Sequence, residues 1–86
     1  METHSEMSWK EDQVIIQLHN SVENAEEAVR QARTNPVEER IKEAFEKIET
    51  AERSCTNAIQ ARGSSQSILE LQDTLAQSKE KLNQLH

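Results

Sequence analysis

The sequence predicts an all-α protein, a single antiparallel up-down-up bundle of three helices with coiled-coil-like heptad packing. Its composition is dominated by strong helix formers and includes only one glycine and one proline. Start and stop signals divide the chain into three segments. Within each segment, apolar residues recur at intervals of three and four, the pattern of a buried helix face.

The first helix is expected at about residues 9–33. Ser8 and Glu11 have the spacing of a capping box, in which the hydroxyl and the carboxylate bond the first free backbone N–H groups. Roughly residues 1–7 are expected to be a disordered tail, and roughly 8–86 one domain. The apolar row of this helix is Ile15, Leu18, Val22, Ala25, Val29 and Ala32.

The second helix is expected at about residues 36–62. Asn35 suits the N-cap, Pro36 suits the first helical position, and Glu38 has capping-box spacing. Gly63 is the only glycine and follows the last apolar position, where a left-handed C-cap ends many helices. The apolar row is Val37, Ile41, Ala44, Ile48, Ala51, Cys55 and Ala58.

The third helix is expected at about residues 65–85, capped by Ser64 or Ser65. Its core row includes one polar residue and consists of Ile68, Leu71, Leu75, Ser78, Leu82 and Leu85. Because both connections are short, consecutive helices must run antiparallel.

Charge and cysteine content narrow the possible environments and partners. The net charge of −6 argues against a nucleic-acid backbone or an anionic membrane surface as partner. No apolar run approaches the ~20 residues of a membrane span. The single cysteine, Cys55, cannot form an internal disulfide, which fits a reducing compartment. We therefore expect a soluble protein that is cytoplasmic, or carried within a particle made in the cytoplasm, and that binds neither nucleic acid nor membrane.

Two patterns were candidates for chemistry, and both have simpler interpretations. His19 and Glu23 lie one helical turn apart and supply at most half of a metal site, because zinc needs three or four converging ligands. Cys55 occupies a core position, where a small hydrophobic residue belongs. Phosphate-binding and nucleophile motifs are absent from the sequence. The sequence therefore predicts no enzyme, no metal and no cofactor.

Apolar residues outside the core rows suggest a function. Trp9 and Ile16 share a second face of the first helix, and Leu69 lies off the row of the third. They are interpreted either as a widened core with Trp9 as its lid, or as a surface that receives a partner, since tryptophan is a favoured interface anchor. The second interpretation predicts a small adaptor or regulator that binds an unidentified protein through a helix face.

Two alternatives stay open at this point. Heptad helices can exchange partners, so the chain is also compatible with a self-assembling homodimer whose interface holds Phe45, Ile59 and Leu69. A third possibility is an acidic nucleic-acid mimic that inhibits a DNA-binding protein. Glu23, Glu26 and Glu27 form its best patch, although Arg30 is adjacent.

Overall fold

A computed structural model describes residues 12–85 of the chain. Three helices follow one another: α1 (Gln13–Thr34), α2 (Glu38–Arg62) and α3 (Gln66–Asn83). Each helix packs against both others in an elongated body of 48 × 23 × 17 Å. The all-α three-helix bundle predicted from the sequence is therefore confirmed.

Side-chain contacts between helices show the antiparallel direction. Asp12 at the start of α1 contacts Arg62 at the end of α2. Nine residues further along α1, Ser21 contacts Ser54, which lies eight residues back along α2. Between α2 and α3, Lys79 lies 13 residues after the start of α3 and bonds Glu52, which lies ten residues before the end of α2. Moving forward on one helix thus means moving backward on its neighbour, as in an up-down-up bundle.

The core follows the predicted apolar rows, except that Ile41, Leu71 and Leu85 are half-buried and Val37 is exposed. Five alanines on α1 and α2 have no exposed surface, and larger residues fill the space between them. Ser78 is the polar side chain buried in the described core, at 6% exposure. Buried positions recur at intervals of three and four along each helix, while knobs-into-holes heptad packing stays a prediction. The buried apolar residues are Ile15, Leu18, Val22, Ala25, Val29, Ala32, Ala44, Ile48, Ala51, Cys55, Ala58, Ile68, Leu75 and Leu82.

The first helix begins later than predicted, at Gln13. Asp12 has an extended backbone and is the N-cap, its carboxylate accepting the Val14 N–H at 3.0 Å. Because Asp12 itself caps the helix, α1 begins four residues after the predicted start of about residue 9. The predicted cap at Ser8 and Glu11 lies outside the described residues.

The start of the second helix was also predicted incorrectly. Asn35 closes α1 by donating its N–H to the Gln31 carbonyl, and Val37 is the N-cap of α2 without a side-chain cap bond. Val37 keeps an extended backbone, so its side chain leaves the helical row and is 45% exposed instead of buried.

The turn between α2 and α3 confirms two predictions and changes one detail. Gly63 ends α2 and donates its N–H to the Ile59 carbonyl, but its φ of 79° and ψ of −176° differ from the expected left-handed helical conformation. Ser65 caps α3 by accepting the Ile68 N–H at 3.4 Å. α3 ends at Asn83, two residues earlier than expected.

Candidate partner surface

Leu69 is the most exposed of the leucines that the structure describes. It lies in the first turn of α3, just after the Ser65 cap, and 44% of its surface is exposed. The other described leucines are buried or half-buried. Leu69 therefore contributes little to the core and is free to contact another molecule.

Ile16 lies in the first turn of α1 and is half-buried. Because α1 and α3 run in the same direction in the up-down-up bundle, Ile16 and Leu69, each in the first turn of its helix, lie at the same end of the bundle. Trp9, the third residue of the predicted partner surface, lies outside the described residues. The surface therefore stays a prediction, with two of its three members located.

Contacts between helices assign these two residues to different flanks. Lys79 marks the flank of α3 that faces α2 through its bond to Glu52. Leu69 lies ten residues earlier, roughly 2.8 turns, so it projects about 80° around α3 from Lys79, on the outer side of that flank. Ser21 marks the flank of α1 that faces α2, and Ile16 lies roughly 140° around the helix from it. Ile16 therefore lies on the side of α1 that faces away from α2.

The flank between α2 and α3 holds further apolar surface. Phe45 and Ile59 are half-buried and pack against the core from this side. Ile59 lies near the same bundle end as Leu69, since α2 and α3 meet there at Gly63. Farther from the α2–α3 turn, the same flank carries an open groove of about 320 Å³. Its lining residues include Phe45, Glu46, Glu49 and Glu52.

A bidentate ion pair closes the bundle end that carries Ile16 and Leu69. Arg62 donates from Nε to Asp12 Oδ2 at 2.6 Å and from its terminal nitrogen to Asp12 Oδ1 at 3.1 Å. These hydrogen bonds lower the pKa of the Asp12 carboxyl below its ordinary value and raise that of the Arg62 guanidinium. Sequence reasoning missed this pair, because its members are 50 positions apart and no local spacing connects them.

The residues considered for chemistry have structural surroundings. His19 Nε2 lies 3.6 Å from Glu23 as an i,i+4 pair. Within the described part of the chain, no group of three potential metal-ligating side chains converges. Cys55 is a free, buried thiol, and burial together with the nearby Glu52 raises its pKa. A raised pKa keeps Cys55 in the thiol form, which is the less nucleophilic one.

The acidic patch on α1 is partly neutralised by its own neighbours. Glu27 accepts hydrogen bonds from Arg30 and Gln31, and both bonds lower the pKa of its carboxyl. Arg30 and Arg40 also line an open depression of about 530 Å³ beside the α1–α2 connection. Arginine among the carboxylates weakens the resemblance of this face to a row of phosphates.

Comparison with known proteins adds no relative. The chain matches no protein-family model, no curated protein and no solved structure. Between residues 12 and 85, no helix has the length and apolarity needed to cross a membrane.

Proposed function

We propose that this protein is a non-enzymatic helical interaction module, an adaptor or regulator that binds a protein partner through a helix face. The observation that carries the proposal is the exposure of Leu69, 44%, on the outer side of α3. The other large hydrophobic side chain with comparable exposure among the described residues, Val37, belongs to a connection between helices. Leu69 instead lies on a rigid helix, which suits a preorganised contact.

The proposed partner contacts Leu69 and reaches around the same bundle end to Ile16, which lies on another flank, and Trp9 is a further member of the predicted surface. Leucine and isoleucine supply apolar area to an interface, and tryptophan supplies an anchor. The net charge of −6 disfavours nucleic acid and anionic membrane as partners. The single free cysteine supports a cytoplasmic location. No cofactor or metal takes part in this proposal.

Affinity capture from native lysate tests the proposal with the full chain as bait. Leu69→Glu is compared with Asn57→Glu, which adds the same charge at an exposed position of α2, three residues after Ser54 on the flank toward α1. Ile16→Lys and Trp9→Lys extend the map, and circular dichroism establishes that every bait is folded. We expect a partner that the parent and Asn57→Glu baits retain and the folded Leu69→Glu bait loses. A partner retained equally by the Leu69, Ile16 and Trp9 variants would place its contact on another face.

Self-assembly is the second candidate, supported by the half-buried Phe45 and Ile59 on the same flank as Leu69. In a homodimer this flank lies between two chains. Sedimentation velocity at two protein concentrations separates the candidates, because only self-assembly makes the sedimentation coefficient rise with concentration. Loss of that rise in Leu69→Glu, but not in Asn57→Glu, would favour a homodimer through this flank.

The acidic mimic is the third candidate and has the least support, because Arg30 neutralises part of its patch. It predicts binding to a DNA-binding protein that weakens steeply with salt. Binding that is insensitive to salt would exclude this mimicry.

A further inference from the structure

The Asp12–Arg62 pair lies over one end of the hydrophobic core. Arg62 is the last residue of α2 and lies seven residues after Cys55, so both project from the same face of the helix. Cys55 is buried at 3% exposure, about 10 Å from Arg62 along the helix axis. Between them, Ala58 has no exposed surface. Arg62 is therefore the position where the buried face of α2 reaches solvent.

Asp12 has two roles at this end. Its Oδ1 accepts the Val14 N–H and so caps α1, while both carboxylate oxygens accept from Arg62. Its carbonyl also accepts the Ile16 N–H, the first backbone bond of the helix. The first turn of α1 is thus tied to the last turn of α2 through one side chain. The buried residues Ile15 and Leu18 lie three and six positions after Asp12.

We propose that the Asp12–Arg62 pair is a latch that holds the first two turns of α1 against α2, and that its release opens this bundle end without unfolding the rest. Opening exposes the apolar side of α1 at Ile15 and Leu18 and gives solvent access to the Cys55 thiol. The trigger is competition for the two charges, either by salt or by a charged group of another molecule, because the pair is solvent-accessible.

Three variants separate the latch from the cap. Arg62→Gln removes the pair and leaves the Asp12 cap in place. Asp12→Asn also removes the ion pair, while asparagine caps helices as well as aspartate does. Lys79→Gln is the matched control, because it removes a second interhelical ion pair of the described residues, Lys79–Glu52 at 3.1 Å, without touching a helix end.

The experiment combines native-state hydrogen exchange with the alkylation rate of Cys55 on the full chain. In Arg62→Gln and Asp12→Asn we expect exchange in the first two turns of α1, and alkylation of Cys55, to accelerate roughly two- to fivefold, the range typical of an exposed ion pair. In the parent and in both variants, exchange in the first two turns of α1 and alkylation of Cys55 should depend less steeply on low urea concentrations than exchange in the middle of α2 and α3, because local opening exposes less surface than global unfolding. In Lys79→Gln, exchange in the first two turns of α1 should match the parent, because opening of this bundle end leaves the Lys79–Glu52 pair in place.

Salt provides a second measurement on the parent protein. About 1 M KCl should accelerate α1 exchange in the parent toward the Arg62→Gln rate and leave Arg62→Gln itself nearly unchanged, because exposed charges are screened at this ionic strength. A urea dependence that is equal over all three helices would show that α1 opens only by global unfolding and would overturn the latch. Unchanged rates in both latch variants would overturn it as well.

Discussion

The buried alanines of α1 and α2 indicate that the helices pack closely, and this close packing can be tested by enlarging one of them. Ala51 lies in the middle of α2 with no exposed surface, flanked along its row by Ile48 and Cys55 at 1% and 3% exposure. Replacing Ala51 by leucine adds three carbon atoms at a site without free surface. In a close-packed core the added volume forces neighbouring side chains and helices apart.

The expected loss in the free energy of unfolding is about 1–3 kcal/mol, the usual effect of adding volume to a packed core. A chain of 86 residues has a total stability of roughly 4–13 kcal/mol, so this substitution removes a large part of it. For a domain of this size, each kcal/mol corresponds to about 4–8 °C in the melting temperature. Ala51→Leu should therefore melt about 4–24 °C below the parent.

Urea and thermal unfolding followed by circular dichroism measure this effect. The matched control is Ala76→Leu, the same change at an exposed position within α3. It should stay within about 0.5 kcal/mol of the parent, as surface substitutions usually do. Equal stability of Ala51→Leu and Ala76→Leu would refute the close packing of α1, α2 and α3 and, with it, the heptad packing predicted from the sequence.

Three further predictions follow from single residues. Gly63 has φ 79° and ψ −176°, a conformation that is essentially restricted to glycine. A Cβ at this position meets no atom within 4 Å, so backbone strain alone should make Gly63→Ala lower the free energy of unfolding by about 1–3 kcal/mol in urea titrations. Parent-like stability would contradict the strain argument. Cys55→Ser places a hydroxyl in the core and should destabilise by about 1–3 kcal/mol more than Cys55→Ala in the same assay, and equal stabilities would show that position 55 tolerates a polar group. Arg62 lowers the folded-state pKa of the Asp12 carboxyl, so the ion pair stabilises the fold above the ordinary pKa of 3.8, and this stabilisation disappears as the pH falls through the lower folded-state pKa. The melting temperatures of the parent and Asp12→Asn should therefore converge on acidification. A constant difference in melting temperature down to pH 2 would contradict this assignment.

The core was predictable from the sequence because burial imposes a period on each helix. All six apolar positions predicted on α1 are buried, since a helix of 22 residues in contact with two others has one continuous inner face. The helix starts were less predictable, because several residues near each start are competent caps. Asp12 caps α1 four residues after Ser8, and Val37 begins α2 although Asn35 has the better side chain for the task.

The candidate partner surface was likewise predictable in part from the sequence. Helical spacing predicted that Leu69 lies off the core row, and its exposure agrees. It did not predict that Ile16 and Leu69 lie on different flanks, because the order of helices around the bundle axis depends on contacts such as Ser21–Ser54 and Glu52–Lys79. The Asp12–Arg62 pair was unpredictable for the same reason, since only the folded bundle brings its members together.

An odd number of helices also determines how the bundle carries a mechanical load. The described chain enters at Asp12 at one end of the bundle and leaves after α3 at the other, with the 18 residues of α3 spanning about 27 Å. A force applied between these two points acts along the helix axes, so the interfaces are loaded in shear and many side-chain contacts resist together. In a two-helix hairpin the same pull would separate the contacts one turn at a time.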